Sequence, residues 1–319
     1  MDPDADLTSL LERGEQATFH GQPAEAIGLL ERAVVLAEAG DQGPVLSRIA
    51  WLLGVALAAA GRYGAALTVL SPLADSGNSE DAPEDTVVYA ALASASIAGV
   101  HRQLGRHAVA QQADLTALAL GEGDDRATAM ALLGLAADAV GLGEVDQAGL
   151  RLAEALTFLP PDGPAGGGDG GWRPWVRVGW LRAEIALGQG RHEDGVRAAL
   201  GAVERAEQAG APRHVAKGLL LLGIAQLEVL RAAPTRADQA DAAGALHRAA
   251  TLAEQLGAVP LVWPTRALLG ALHHRVDGEP AGANLAAART AVVAIAGDLP
   301  PGVRAEWLAR PDIAALLAS

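Results

Sequence analysis

The sequence predicts an all-α protein: a solenoid of about seven antiparallel helix pairs in a right-handed superhelix. Three observations point to it. The phrase WLLGVALAAAGRYGAAL (51–67) joins an apolar helix, a Gly-containing turn and a second helix opening on small residues, and versions of it recur at 10–30, 139–156 and 180–200. Hydrophobic residues make up 50% of the chain and aromatic residues only 3%, so the apolar material is mainly Ala, Leu and Val. Small side chains let helices approach closely, and Ala has the strongest intrinsic helix propensity. No alternating β-branched run is long enough to read as a strand. In a repeat of this kind each unit buries its apolar face by stacking on its neighbours.

Taken in order, the first pair has its packing residue at Gly14 and opens its second helix with Ala26. The second pair repeats this with Gly54 and Ala66, and SPLADSGNSEDAPED (71–85) then reads as an acidic, turn-rich connector. Ala98 and Ala110 mark the third pair, Ala136 and Ala148 the fourth. PPDGPAGGGDGG (160–171) is the clearest linker, because Pro and Gly together disfavour helix. It either separates four N-terminal pairs (1–159) from three C-terminal ones (172–299) or forms a loop in one continuous superhelix. The fifth pair carries Ala183 and Gly195. The sixth carries Gly223 and Ala242 around a turn lengthened by RAAPTRADQADAAG (231–244), and the seventh Gly270 with Ala281 or Ala283. A second small position falls at Ala33, Ala117, Ala155, Ala202 and Ala249.

The tail, 300–319, departs from the pattern. Pro300 and Pro301 start a short amphipathic helix with Val303, Trp307 and Leu308 on one side, and Pro311 opens a final turn with Ile313, Leu316 and Leu317. Its expected role is to cap the apolar end of the array.

This small, large, small arrangement resembles the tetratricopeptide repeat (TPR). The family unit is about 34 residues, whereas the packing residues here recur every 38 to 47. The tail resembles the ends of C-terminal TPR regions in large LuxR-type and NTPase-containing regulators of GC-rich bacteria. This sequence shows neither a P-loop nor a helix-turn-helix.

Composition narrows the function. Without cysteine there are no disulfides, thiolate metal sites or cysteine nucleophiles. The acidic MDPDADLTSL start lacks the basic and apolar regions of a signal peptide. No uninterrupted apolar run reaches the roughly 18 residues of a membrane span, so the expected location is cytoplasmic. A net charge of −14 argues against a nucleic-acid partner.

The TPR resemblance implies that first helices line the concave surface, at positions three before and one after each packing residue. Those positions hold Leu11 and Glu15, Trp51 and Val55, Ala95 and Gly99, Leu133 and Ala137, Trp180 and Glu184, Leu220 and Ile224, and Ala267 and Ala271. The family's carboxylate-clamp residues, Lys, Asn and Arg, are absent from them. The expected groove is therefore apolar, with Trp51 and Trp180 either accessible hot spots or core packing between repeats. Arg48, Arg177 and Lys217 share one repeat position further out, a cationic rim suited to an acidic partner.

No catalytic, metal or cofactor constellation emerges. His192-Glu193-Asp194 falls in a turn, His273-His274 are adjacent and diverge, His101 reads as a packing residue, and HExxH is missing. Neither GEGDD (121–125) nor the Gly-rich linker lies between a strand and a helix, as a phosphate loop would. The sequence thus reads as a non-catalytic interaction module in regulation or scaffolding, holding a protein or peptide segment such as an amphipathic helix. The alternatives are a sensor of a small apolar molecule or peptide, and an enzyme with a pocket inside the solenoid.

Overall fold

The computed structural model describes residues 6–40, 43–79, 81–160, 171–232, 236–276 and 281–319, so most of the expected 160–171 linker lies outside the described residues. Sixteen helices are found among them, and no strand. The first pair is α1 (Leu7–His20) with α2 (Pro23–Ala39), the second α3 (Gly43–Ala59) with α4 (Tyr63–Ser76). The third is α5 (Glu84–Gln103) with α6 (His107–Leu120), the fourth α7 (Asp125–Gly141) with α8 (Val145–Leu156). Then come α9 (Trp172–Gly188) with α10 (His192–Gln208), and α11 (Pro212–Ala232) with α12 (Arg236–Leu256). The seventh pair, α13 (Val259–Val276) with α14 (Ala281–Asp298), is followed by α15 (Pro301–Ala309) and α16 (Pro311–Ala318). Among the described residues no helix is long and apolar enough to cross a membrane.

The second to fifth pairs reverse direction at the glycine that the repeated phrase supplies. Gly61, Gly105, Gly143 and Gly190 adopt φ of 82°, 76°, 79° and 72°, the left-handed region that side chains with a Cβ disfavour. The next residue's N–H then returns to the carbonyl five positions back: Arg62 to Leu57, Arg106 to His101, Glu144 to Ala139 and Arg191 to Ala186, at 2.8–2.9 Å. This closes the helix end by satisfying a carbonyl that would otherwise lack a donor.

Past the turn, small residues set the spacing. All seven first-helix packing residues, Gly14, Gly54, Ala98, Ala136, Ala183, Gly223 and Gly270, are buried. A Cβ on Gly223 would stand 2.6 Å from Leu246, and one on Gly14 2.7 Å from Leu30. At Gly54 it would fall inside the side chain of the fully buried Leu70.

Odd-numbered helices from α1 to α13 touch one another in succession, while each even-numbered helix packs between the two odd ones that flank it. The odd helices are the inner layer of a right-handed, TPR-like superhelix. Helices on either side of the linker share a core in which Leu132, Leu133 and Leu152 meet Val178, Leu181 and Ile185.

The superhelix also meets itself. The Asp298 carboxylate, at the end of α14, accepts from the N–H groups of Gly64 (2.6 Å) and Ala65 (3.2 Å) in the first turn of α4. That turn has no side-chain cap of its own, so a carboxylate from five pairs away supplies it. Arg310 donates to the Gln103 carbonyl at 3.1 Å, and Arg106 pairs with Glu306 at 3.1 Å. On the other side, His20 Nδ1 lies 3.1 Å from the Gly210 carbonyl, and Gln22 donates to that of Gln255 at 3.3 Å.

Three expectations need correction. The 71–85 segment is mostly helical: α4 runs through an exposed Pro72 to Ser76 and α5 begins at Glu84. Within 231–244, α11 extends to Ala232 and α12 begins at Arg236, so longer helices rather than a longer turn account for the extra residues. The tail is two helices whose Trp307, Ile313 and Leu316 join the core of the first three pairs, while Leu317 is exposed. It therefore spans from the last pair to the early ones and does more than cover an end.

Between the third and fourth pairs lies a buried ionic cluster. Arg102 of α5 donates to Asp114 of α6 and, at 3.2 Å, to Asp138 of α7. Gly134 leaves the space that Asp114 occupies. Burial pushes the Asp114 carboxyl up from 3.8 to about 7; Arg102 pulls against this and Asp138 adds to it.

Two predictions follow from these contacts. Gly54→Leu lowers stability by about 1–3 kcal/mol through overpacking, whereas Gly28→Ala, on α2 where an added Cβ meets nothing within 4 Å, raises it by up to about 1 kcal/mol. Urea midpoints read both, and equal midpoints for wild type and Gly54→Leu would contradict the helix register. For the ionic cluster, folded Asp114 holds its proton to higher pH than the unfolded chain does. Its contribution to stability therefore falls as pH rises from about 4 to about 7, and Asp114→Asn flattens that part of the urea profile. Arg102→Leu leaves the buried Asp138 and Asp114 without their shared cation and costs about 3–5 kcal/mol at neutral pH.

Candidate functional site

Counting back from the packing residue of each inner helix gives a stripe at ten, six and three before it and one after. These spacings of four, three and four keep side chains on one helical face. On α9 the stripe is Arg173, Arg177, Trp180 and Glu184; on α11 it is Arg213, Lys217, Leu220 and Ile224; on α7 it is Arg126, Met130, Leu133 and Ala137. On α3 the same face carries Arg48, Trp51 and Val55. Arg126, Arg173 and Arg213 are each the second residue of their helices.

The residues anticipated for the groove divide into two sets. Trp51 is core: it is only 4% exposed, its ring lies against Phe19 (6.2 Å) and Tyr89 (5.9 Å), and its Nε1 donates to Ser96 Oγ at 3.2 Å. Leu133 and Leu220 are buried as well. The physical reason is the close contact between successive inner helices, which seals these positions into the inner layer. Trp180, Glu184, Val55, Ile224, Arg48, Arg177 and Lys217 remain half-buried or exposed. The open concave surface is therefore cationic and aromatic rather than the apolar groove the sequence suggested.

Two of the three expected rim cations are paired within the wall. Arg48 binds Glu15 of α1, and Lys217 lies 3.7 Å from Glu184. Arg177 approaches the Met130 sulfur at 3.5 Å. Arg173 stacks on Phe19, with its guanidinium carbon 3.7 Å from the ring centre, and it also faces Trp51 from 5.7 Å. Arg126 flanks the same indole from 5.8 Å. Among the described residues Arg126, Arg173 and Arg213 have no ion pair, and the Nε atoms of Arg173 and Arg213 are buried without an acceptor. Burial, with Arg126, Arg213 and Arg177 adding their charge, holds the Arg173 guanidinium well below its ordinary range. Burial brings Arg177 and Arg213 down to about 10.

His214 sits among them. Its ring stacks on Trp180 (5.6 Å, 14° between planes) and meets the edge of Trp172 at 4.8 Å. Burial first, then the charges of Arg213 and Arg173, depress its basicity, so it is neutral near pH 7. Trp172 also faces His20 of α1 at 5.6 Å. Phe19, His20, Trp172 and Arg173 line a cavity of about 410 Å³ closed on the α1 side by Glu12 and Glu15. A larger recess of about 690 Å³ opens on the even-helix side near Leu115, Glu144 and Arg151, and no aromatic residue or unpaired arginine lines it.

Sequence reasoning missed Arg126, Arg173, Arg213, His214 and Trp172. The signal for the arginines was present: they occupy one repeat position, one turn before the rim set. Two of the histidines singled out in the sequence are held by neighbouring side chains. His101 Nδ1 lies 3.5 Å from Arg106, and His273 Nδ1 lies 3.3 Å from Asn284 Nδ2. In GEGDD, Asp124 caps α7 by accepting from the Ala127 N–H at 2.7 Å.

No family model and no curated protein matches the sequence. Among solved structures the chain is similar to a Rap protein complexed with competence and sporulation factor, with TM-score 0.61 and 12% identity over 98% of this chain and 88% of that one. It also aligns with aspartyl phosphate phosphatase F from Bacillus subtilis (TM-score 0.49, 12% identity, 100% of this chain and 84% of that one). Yeast Tom70 aligns at TM-score 0.46 and 13% identity, over 99% of this chain and 64% of that one. The likeness to the Rap structure establishes a shared TPR-like fold.

The two indoles separate experimentally. Trp51→Ala removes a core ring and costs about 3–5 kcal/mol of stability. Trp180→Ala, half-buried against His214, costs less than about half of that. Guanidinium melts of both variants test the assignment, and equal losses would place Trp180 in the core.

Proposed function

We propose that this chain is a non-catalytic interaction module with a regulatory or scaffolding role, holding a peptide or a segment of a protein partner against its concave face. The observation that carries this reading is the cluster of half-buried Trp172 and Trp180 around the buried His214, beside unpaired arginines, with Trp172 and Arg173 lining a 410 Å³ cavity. Rigid aromatic rings with few rotors and guanidinium groups without partners are the side chains that gain most from a ligand. A recess of this size suits a few side chains of an extended segment better than the roughly 10–12 Å cylinder of an amphipathic helix. The Rap structure of similar fold is itself a complex, with competence and sporulation factor, which agrees with a ligand-binding role.

The sensor reading gains support from the contacts that join early and late pairs. A ligand between α1 and α9 would bear on the His20–Gly210 contact and so on the closure of the superhelix.

Selection from a random peptide library on the full chain tests the proposal. The expected result is an enriched peptide family whose binding Trp180→Ala weakens by more than about 1 kcal/mol, with no change for Leu150→Ala on the exposed face of α8. Failure to enrich any family, or sensitivity to Leu150 in place of Trp180, would sink it.

A further inference from the structure

The distribution of charge inside the superhelix is the opposite of the whole. The chain carries −14, yet three consecutive inner helices, α7, α9 and α11, each place an arginine at their second residue. A cation there is electrostatically misplaced, because the exposed N–H groups of a helix start already carry partial positive charge and favour an anion. The nearby carboxylates do not correct it: Glu15 holds Arg48, Glu184 faces Lys217, Asp114 and Asp138 hold Arg102, and Glu12 across the cavity makes no ion pair with any of the three. The buried Nε groups of Arg173 and Arg213 have no acceptor, and each guanidinium depresses its neighbours' proton affinity. An arrangement that repels itself and leaves donors unsatisfied is complete only with an anion in it.

We propose that Arg126, Arg173 and Arg213, with Arg177 behind them, form a binding site for an oxyanion, carboxylate or phosphate, carried by the ligand. The site rests on the reading of the concave face as a peptide seat, and it gives that peptide its chemistry: an acidic segment. The planar guanidinium fork matches the two oxygens of such a group. Stacked on Phe19, Arg173 is held in place before the ligand arrives. Glu12 and Glu15 on the α1 wall repel the same charge, so the oxyanion lies toward α7, α9 and α11 while the ligand's apolar part meets Trp172 and Trp180. These arginines stand seven and eleven residues before the two groove positions at which the TPR resemblance would put a carboxylate clamp; the site is one repeat position used three times.

The test uses the full chain, with capped tetraglutamate as probe and capped tetraglutamine as control at equal ionic strength. Tetraglutamate is expected to raise the Tm and tetraglutamine to leave it unchanged. Arg173→Gln and Arg213→Gln are each expected to weaken tetraglutamate about tenfold or more, while their ligand-free Tm holds or rises because repulsion is relieved. Arg126→Gln, at an exposed side chain, repeats the measurement where folding is not at stake, and Arg151→Gln on α8 is expected to change nothing. A capped tetraphosphoserine peptide distinguishes phosphate from carboxylate as the preferred oxyanion, and preference for either supports the site. An equal response to tetraglutamate and tetraglutamine, or an undiminished response in all three arginine variants, would overturn it. Because no natural ligand is needed, a positive result beside a failed library selection would reject the peptide reading and keep the oxyanion site.

Discussion

Leu70 resting on Gly54 is the contact on which the geometry of the molecule depends, together with its counterparts at Gly14, Gly223 and Gly270. It fixes how near the two helices of a pair lie, and hence the small rotation from one pair to the next. Rotations add. Over seven pairs a slight error in each would carry the end of α14 away from α4, where Asp298 has to arrive within hydrogen-bonding distance of two backbone N–H groups. Local packing is thus translated into long-range closure, and closure brings α1 opposite α9 to form the cavity.

The electrostatics of the interior depend on the same layer. Arg102 and Arg173 are both drawn out of water, but they solve the cost differently. Arg102 has two aspartates within reach and acts as a staple between adjacent pairs. Arg173 has an aromatic ring and other cations for company. Burying a charge without a partner is costly, so a structure that does it at Arg173 and again at the equivalent Arg213 holds those groups ready for something outside the chain.

The repeat register was legible because each packing site demands a small residue at a fixed place, and only Gly and Ala meet that demand. Gly54 and Ala183 could be recognised without any knowledge of their neighbours. Trp51 was harder: its sequence position is the same as that of Trp180, and what buries one and opens the other is the third-dimensional placing of Phe19, Tyr89 and Ser96. The arginine stripe was readable in principle, since Arg126, Arg173 and Arg213 share a register position; it was overlooked because the count stopped one turn short. The approach of the tail to the third pair was beyond sequence reading. Residues 103 and 310 meet only because curvature accumulated between them brings them together.

That meeting of early and late helices has an evolutionary consequence. Open repeat arrays tolerate gain or loss of a unit, since each unit answers only to its neighbours. Here an eighth pair would push Asp298 past the start of α4 and move Arg310 away from Gln103, and removal of one would leave both short. Duplication, the ordinary route by which solenoids change length, is closed to this one. Its divergence has to proceed by substitution on the inner face, with the number of pairs held at seven.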